Sequence, residues 1–183
     1  MKKHSTQEGL ASSPSPATTL TKFEDLVGQN PSPDRVCTEL ARLLRVRASE
    51  VALLRLENGV LKFLFPPGLR AAGTIPVSSS AVAARTAATM TGVLANNFAK
   101  VKHVRVFEDI KSGTAEESDA LDATPIQKIM SVPIHAGGEA IGVIQVSRKG
   151  LDATSSGPDF TTDDLRQLER AAAAIARTKI LSQ

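Results

Sequence analysis

Apolar residues recur every three or four positions in two segments near the start of the chain, and this spacing predicts helices. The first segment, TLTKFEDLVGQ, predicts a short helix on which Leu20, Phe23 and Val27 share one face. The second, PSPDRVCTELARLLR, predicts a longer helix with Ser32 as its N-cap and Pro33 in its first turn. Two helices are therefore expected before the first strand.

The pattern changes to short apolar runs from residue 51 onward, as expected for strands. VALLRLENGVLKFLF holds two such runs around Asn58-Gly59, a dipeptide that tolerates positive φ in a tight hairpin. An extended piece, TIPV, then leads into an Ala-rich helix, and one of Ser78, Ser79 or Ser80 is the expected N-cap of that helix. TGVLANNF predicts a further short strand.

The segment MSVPIHAGGEAIGVIQVSRKG predicts a central hairpin. Its apolar residues are nearly continuous rather than alternating, which is typical of strands covered on both faces. Gly137-Gly138 supplies the turn, and a phosphate-binding loop is disfavoured because a β-branched run follows instead of a helix. His135 is interpreted as a partly solvated strand-end residue rather than a metal ligand. Gly142, which lacks a side chain in mid-strand, predicts the close approach of another element.

Three other segments define the limits of the domain. Residues 1–18 are rich in Ser, Thr and Pro and predict a flexible tail before a single domain at 19–183. Residues 99–125 lose all periodicity and predict a long loop. FTTDDLRQLERAAAAIARTKILS predicts the last helix, with Thr161 as its N-cap and with Phe160 and Leu165 placed as a hydrophobic staple.

Composition narrows the class of protein. Aromatic residues make up only 3% of the 183 residues, so an aliphatic core is expected. The 22 basic and 19 acidic side chains leave a net charge of +3, which is too small and too scattered to predict nucleic-acid binding. The single cysteine, Cys37, excludes an internal disulfide and a multi-cysteine zinc site. With no signal peptide and no apolar run of about eighteen residues, a cytoplasmic protein without membrane or metal partners is expected.

The order of these elements resembles a GAF domain over about residues 30 to 180, most specifically in SVPIHAGGEAIGVIQVSRKG and DFTTDDLRQLERAAAAIA. The resemblance implies an α+β fold with a central antiparallel sheet of five or six strands and helices on both faces. It also implies that the first and last helices share one layer, which commonly serves for dimerisation. A homodimer through these helices is therefore expected, and a small-molecule pocket is expected on the opposite face, enclosed by the variable loop.

The resemblance to the cyclic-nucleotide-binding GAF domains is incomplete. Those domains carry Asn-Lys at the end of the last strand and Phe-x-x-x-Asp-Glu at the start of the final helix. This chain has Ser147-Arg148 at the first place, and Phe160 and Asp164 followed by Leu at the second. Cyclic-nucleotide binding is not predicted, but an Arg148–Asp164 ion pair is expected to replace the structural Lys–Asp pair.

The expected function is that of a non-catalytic regulatory or sensory module that binds a small molecule or a protein partner in signal transduction. The sequence does not identify a cofactor. Helix capping alone is the favoured alternative role of the three serines. The candidate ligand-binding residues come from the Ala-rich helix N-terminus and the region that closes the pocket in relatives: Ser78, Ser79, Ser80, Asn96, Asn97, His103, Phe107 and Asp109.

Two other functions fit the same resemblance less well. The free methionine sulfoxide reductases share the GAF fold, but their chemistry needs a second cysteine to resolve the intermediate, and this chain has only Cys37. A haem sensor would need an axial ligand such as His103, which stands in a charged segment where a solvated histidine is more common. A bilin would need a cysteine near the pocket and aromatic packing.

Overall fold

The structure is a computed structural model that describes residues 16–100 and 124–182. Its helices are α1 (Pro16–Val27), α2 (Pro33–Leu44), α3 (Val82–Thr89) and α4 (Thr162–Ala176). Its strands are β1 (Val51–Glu57), β2 (Val60–Phe65), β3 (Thr74–Pro76), β4 (Val93–Ala95), β5 (Ile126–Ala136) and β6 (Glu139–Lys149). α1 begins at Pro16, inside the segment 1–18 that was predicted as a tail. The rest of that tail and most of the predicted 99–125 loop lie outside the described residues.

The six strands form one antiparallel sheet in the order β3-β2-β1-β6-β5-β4. The predicted hairpins are both present. Asn58 and Gly59 have φ of 52° and 76°, and Gly137 and Gly138 have φ of 61° and 86°, as a two-residue turn with positive φ at both positions requires. His135 is exposed next to the second turn, as predicted.

Helices cover both faces of the sheet, as the sequence predicted. α1, α2 and α4 pack on one face over the larger apolar core. α3 packs on the other face against β5 and β6, over a smaller core that contains Leu54, Leu61, Phe63 and Val143. None of the described helices is long and apolar enough to cross a membrane.

The predicted caps of α2 and α4 are confirmed. The Ser32 hydroxyl accepts a hydrogen bond from the Arg35 N–H, 3.4 Å away, and Pro33 occupies the first turn of α2. At α4, the Thr161 hydroxyl accepts from the Asp164 N–H and the Asp164 carboxylate accepts from the Thr161 N–H. This reciprocal pair satisfies two N–H groups that have no partner within the helix.

A buried carboxylate ties the start of β1 to the end of β6. Glu50 is 7% exposed and accepts hydrogen bonds from the backbone N–H groups of Arg47 and Lys149, at 2.8 and 2.7 Å. The Arg47 guanidinium donates a third bond at 2.9 Å. Burial alone would raise the pKa of Glu50, but these hydrogen bonds and the charge of Arg47 hold that pKa below its ordinary value.

Acidification is therefore expected to remove the contribution of Glu50 to stability. Because its folded-state pKa is lowered, the stabilisation is complete above the unfolded-state pKa and is lost as the pH falls through the folded-state pKa. Glu50→Gln should lower the free energy of unfolding by about 1 to 3 kcal/mol near neutral pH, and the difference from the unsubstituted chain should shrink in acid. Urea titrations at several pH values measure this. A pH-independent difference, or an equal effect in the exposed control Asp163→Asn, would contradict it.

Candidate ligand-binding site

The three predicted serines lie in a turn before α3 and do not cap it. The Ser79 N–H donates to the Pro76 carbonyl, so the chain turns once more and the N-cap is Ala81, which has no capping side chain. The prediction that one serine caps the helix is therefore wrong. Ser78 and Ser80 are exposed. The Ser79 hydroxyl is buried without a hydrogen-bond partner.

Asn96, one of the predicted ligand residues, makes structural hydrogen bonds to the start of α4. Its side-chain amide donates to the Phe160 carbonyl at 3.0 Å, and its carbonyl oxygen accepts from the Phe160 N–H at 2.9 Å. Both polar groups of the Asn96 amide therefore hydrogen-bond to the Phe160 backbone and connect the end of β4 to the start of α4. Asn97 is exposed. His103, Phe107 and Asp109, the remaining predicted ligand residues, lie outside the described residues.

A buried polar row, formed by Thr86, Ser131 and Gln145, lies where α3 crosses the sheet. Ser131 of β5 and Gln145 of β6 are directly opposite each other in the sheet, and Thr86 of α3 lies above them. Their exposures are 0%, 0% and 3%. Polar side chains buried this deeply are expected to have hydrogen-bond partners.

The hydrogen bonds of the row form a chain with one direction. The Gln145 Nε2 group donates to Ser131 Oγ at 3.4 Å. Ser131 Oγ and Thr86 Oγ1 are 2.8 Å apart, and the Thr86 hydroxyl donates to the Val82 carbonyl at 2.8 Å. Because each hydroxyl has one proton, Ser131 then donates to Thr86.

One atom of the row is left without a partner. Gln145 Oε1 is buried and accepts no hydrogen bond. Flipping the Gln145 amide would leave its nitrogen unsatisfied instead of its oxygen. The reason is that the single neighbouring hydroxyl, Ser131, can bond only one of the two atoms. A buried amide oxygen without a donor is destabilising by about 1 to 3 kcal/mol. In this arrangement Gln145 Oε1 therefore has unused capacity to accept a hydrogen bond.

The polar row could not be predicted from the sequence because a β-bulge creates it. The turn pairs Ala136 with Glu139, and that register, if continued, would place Ser131 opposite Ile144. A register shift between Ile134 and His135 moves the pairing by one residue and brings Ser131 opposite Gln145. The available signal was the presence of one polar residue inside each of two apolar runs.

The predicted Arg148–Asp164 ion pair is not formed. The Arg148 guanidinium donates to the carbonyl groups of Arg45 and Leu44, at 3.1 and 3.4 Å, and lies 4.7 Å from the centroid of the Phe160 ring. Asp164 is used in the cap of α4. Arg148 therefore joins β6 to the C-terminus of α2, where the partial negative charge of the helix end favours a cation.

Cys37 belongs to the larger core. Its side chain lies on the buried face of α2 and is 1% exposed. Burial, and to a lesser extent the nearby Asp34 carboxylate, raise the pKa of the Cys37 thiol far above its ordinary range. Such a thiol is protonated at neutral pH and is a poor nucleophile. The described residues contain no cluster of three histidine, cysteine or acidic side chains placed to hold a metal.

These features define the class of the protein. The GAF domain family matches residues 34–178, and the chain belongs to that family. Comparison with curated protein sequences gives no significant match.

Solved structures of GAF domains share this fold at low sequence identity. The GAF domain of an Acinetobacter phosphoenolpyruvate-protein phosphotransferase is 14% identical, with a TM-score of 0.64 over 91% of this chain and 92% of that one. Its counterpart from Coxiella burnetii is 10% identical, with a TM-score of 0.63 over 88% and 90%. A type II free methionine-R-sulfoxide reductase from Thermoplasma acidophilum is 16% identical, with a TM-score of 0.53 over 85% and 93%. At these identities the likeness shows the fold.

Proposed function

We propose that this chain is a non-catalytic regulatory module that binds a small polar molecule on the α3 face of its sheet. Membership of the GAF family supports a regulatory or sensory role in general. The observation that carries the proposal is Gln145 Oε1, a buried hydrogen-bond acceptor without a donor. A ligand with an N–H or O–H group would satisfy this atom, which would give binding both affinity and selectivity. We propose that the module acts in signal transduction in the cytoplasm.

Replacing Gln145 tests the proposal, because it separates stability from binding. Gln145→Met keeps the length of the side chain and removes the unsatisfied oxygen, so the ligand-free chain is expected to gain about 1 kcal/mol in its free energy of unfolding. The same variant should lose the thermal shift or calorimetric heat that a metabolite panel produces with the unsubstituted chain. Gln167→Met on α4 is the matched control and should keep that response.

Two results would contradict the proposal. One is a panel of N–H and O–H donors that gives flat calorimetric traces with the unsubstituted chain. The other is a loss of stability in Gln145→Met, which would assign the amide a structural role.

Catalysis of the free methionine sulfoxide reductase type is the alternative, because solved structures of such reductases share the fold. The environment of Cys37 argues against it. The chain has no second cysteine, and the thiol is buried in the core on the α2 side of the sheet, away from the polar row on the α3 side. Attack on a sulfoxide needs an accessible thiolate. These observations support a non-catalytic module.

We also propose a homodimer through the layer that contains α1 and α4. The two helices lie side by side, and Arg170 is 3.2 Å from Glu24 across them. Ala171 and Ala172 are buried within the chain's own core, whereas Ala173 faces outward. Light scattering on the concentrated protein should therefore give twice the chain mass, and Ala173→Arg should shift it toward the mass of one chain. A single-chain mass for the unsubstituted protein would exclude the dimer.

A further inference from the structure

A basic hollow lies at the end of the sheet that is remote from the β5–β6 turn. It forms where α2 ends, β1 begins and β6 runs into the loop at 150–157, and its volume is about 310 Å³. That volume is at the lower end of the range for small-molecule sites. The lining residues are Arg45, Val46, Arg47, Glu50, Arg148, Lys149, Ser155, Ser156 and Gly157.

The side chains that line this basic hollow carry a net positive charge. Four of its lining residues are cationic and one, Glu50, is acidic. Without these five, the chain's 22 basic and 19 acidic side chains become 18 of each. The net charge of +3 is thus equal to the excess in the hollow alone, and a local excess of this kind attracts small anions.

The acidic groups around the basic hollow already have partners. The Glu50 carboxylate accepts three hydrogen bonds from Arg47 and Lys149. In the loop wall, the Asp152 carboxylate accepts from the Ser155 N–H at 2.7 Å. Asp159, farther along, is 2.9 Å from Lys128. Among the described contacts, no carboxylate therefore lies beside Arg45 or Arg148 to offset the positive potential of these two side chains.

Two guanidinium groups have unused donors. Arg148 is 9% exposed, and its Nε is buried without a hydrogen-bond partner, although the group is held in place by two carbonyls and Phe160. Arg45 has an exposed side chain, and the described residues offer it no side-chain hydrogen bond. The Arg148 guanidinium is therefore held in place and shielded from water, whereas the exposed Arg45 side chain can move at the edge of the basic hollow.

We propose that this basic hollow binds a small molecule through a phosphoryl group. Arginine is suited to a phosphoryl oxyanion because its planar donors match two oxygens at once, and lysine adds a point charge. Ser155 and Ser156 line the same wall, and their hydroxyl groups donate to the Asp152 and Ala153 carbonyls of the loop itself. The site shares no residue with the polar row around Gln145, so it is separate from the ligand site proposed above.

Titration with pyrophosphate tests the site. The full chain is titrated calorimetrically at constant ionic strength, with NaCl as the balancing salt, and saturable one-to-one binding is expected. Arg45→Gln combined with Lys149→Gln should weaken this binding about tenfold or more, since charge-assisted hydrogen bonds are lost. Lys62→Gln combined with Arg166→Gln removes the same charge from exposed ion pairs elsewhere and should leave the affinity unchanged.

Several outcomes would overturn the proposal. If both double variants bound pyrophosphate equally weakly, binding would depend on the overall charge and not on this site. If NaCl alone gave the same heats, those heats would come from ionic strength. Circular dichroism on each variant checks that the fold is kept. Gln145→Met should bind pyrophosphate like the unsubstituted chain, so this site and the one on the α3 face can fail independently. Loss of pyrophosphate binding in that variant would show that the two are one site.

Discussion

Replacing Gly142 with alanine is expected to destabilise the protein by about 3 kcal/mol or more, because this glycine is where β6 presses against β1. A Cβ atom at this position would lie 2.5 Å from the Leu54 carbonyl oxygen, and also 3.2 Å from a methyl group of Leu181 and 3.4 Å from one of Ile134. The first contact is with backbone, which cannot rotate away. The pairing of β1 with β6 in the middle of the sheet would have to open.

Chemical denaturation and a substitution at Gly137 provide the measurement and the control. Gly137 has φ of 61°, and a Cβ atom added there would have nothing within 4 Å; asparagine tolerates that conformation. Gly137→Asn should therefore change the free energy of unfolding by well under about 1 kcal/mol. Similar, small effects of the two substitutions would mean that β1 and β6 can move apart at Gly142, against the close contact described above.

The sequence predicted the order of the elements because each has a local cause. Ser32 and Thr161 mark helix starts through side-chain bonds within the next turn, and Asn58-Gly59 forms a hairpin by its own backbone preference. Even the long-range role of Gly142 was visible, because a residue without a side chain inside an apolar strand is typical of close approach by a neighbouring backbone. Periodicity and turn chemistry are thus sufficient for the sheet and both helical layers.

The candidate site was much less predictable because it depends on register. The serines before α3 were expected to cap it, but a further turn at Ser79 makes Ala81 the N-cap. The Ser131–Gln145 pair is created by a bulge that no local residue pattern specifies. A shift of one residue changes which side chains are opposite each other, and sequence reasoning cannot resolve it without the tertiary context.

The error about Arg148 has a different physical origin. The matching positions of relatives suggested a carboxylate partner for the cation, and Asp164 was the matching acid. The Asp164 carboxylate instead accepts from the Thr161 N–H and the Thr161 hydroxyl, at 2.7 and 2.9 Å. The cation can be stabilised without a carboxylate because the last carbonyl groups of α2 have no intrahelical donors and carry partial negative charge.

Arg148→Ala is therefore expected to lower the free energy of unfolding by about 3 kcal/mol. The substitution leaves the carbonyl groups of Leu44 and Arg45 without their donor and removes the cation from the face of Phe160. Arg148→Lys should recover only part of the loss, because a compact ammonium group lacks the planar fork of donors that bonds both carbonyls while the guanidinium lies over the ring. Urea unfolding of the two variants measures both effects.

A double-mutant cycle with Asp164 distinguishes this arrangement from the ion pair. Asp164→Asn alone should cost about 1 kcal/mol through the weakened cap of α4. If Arg148 acts on the helix end and Phe160, the losses in the Arg148→Ala, Asp164→Asn double variant should add to within about 0.5 kcal/mol. A coupling energy above about 1 kcal/mol would support a direct Arg148–Asp164 ion pair. Additivity would instead identify Arg148 as the link between the last strand and the end of α2, which is the position that fixes its donors at the wall of the basic hollow.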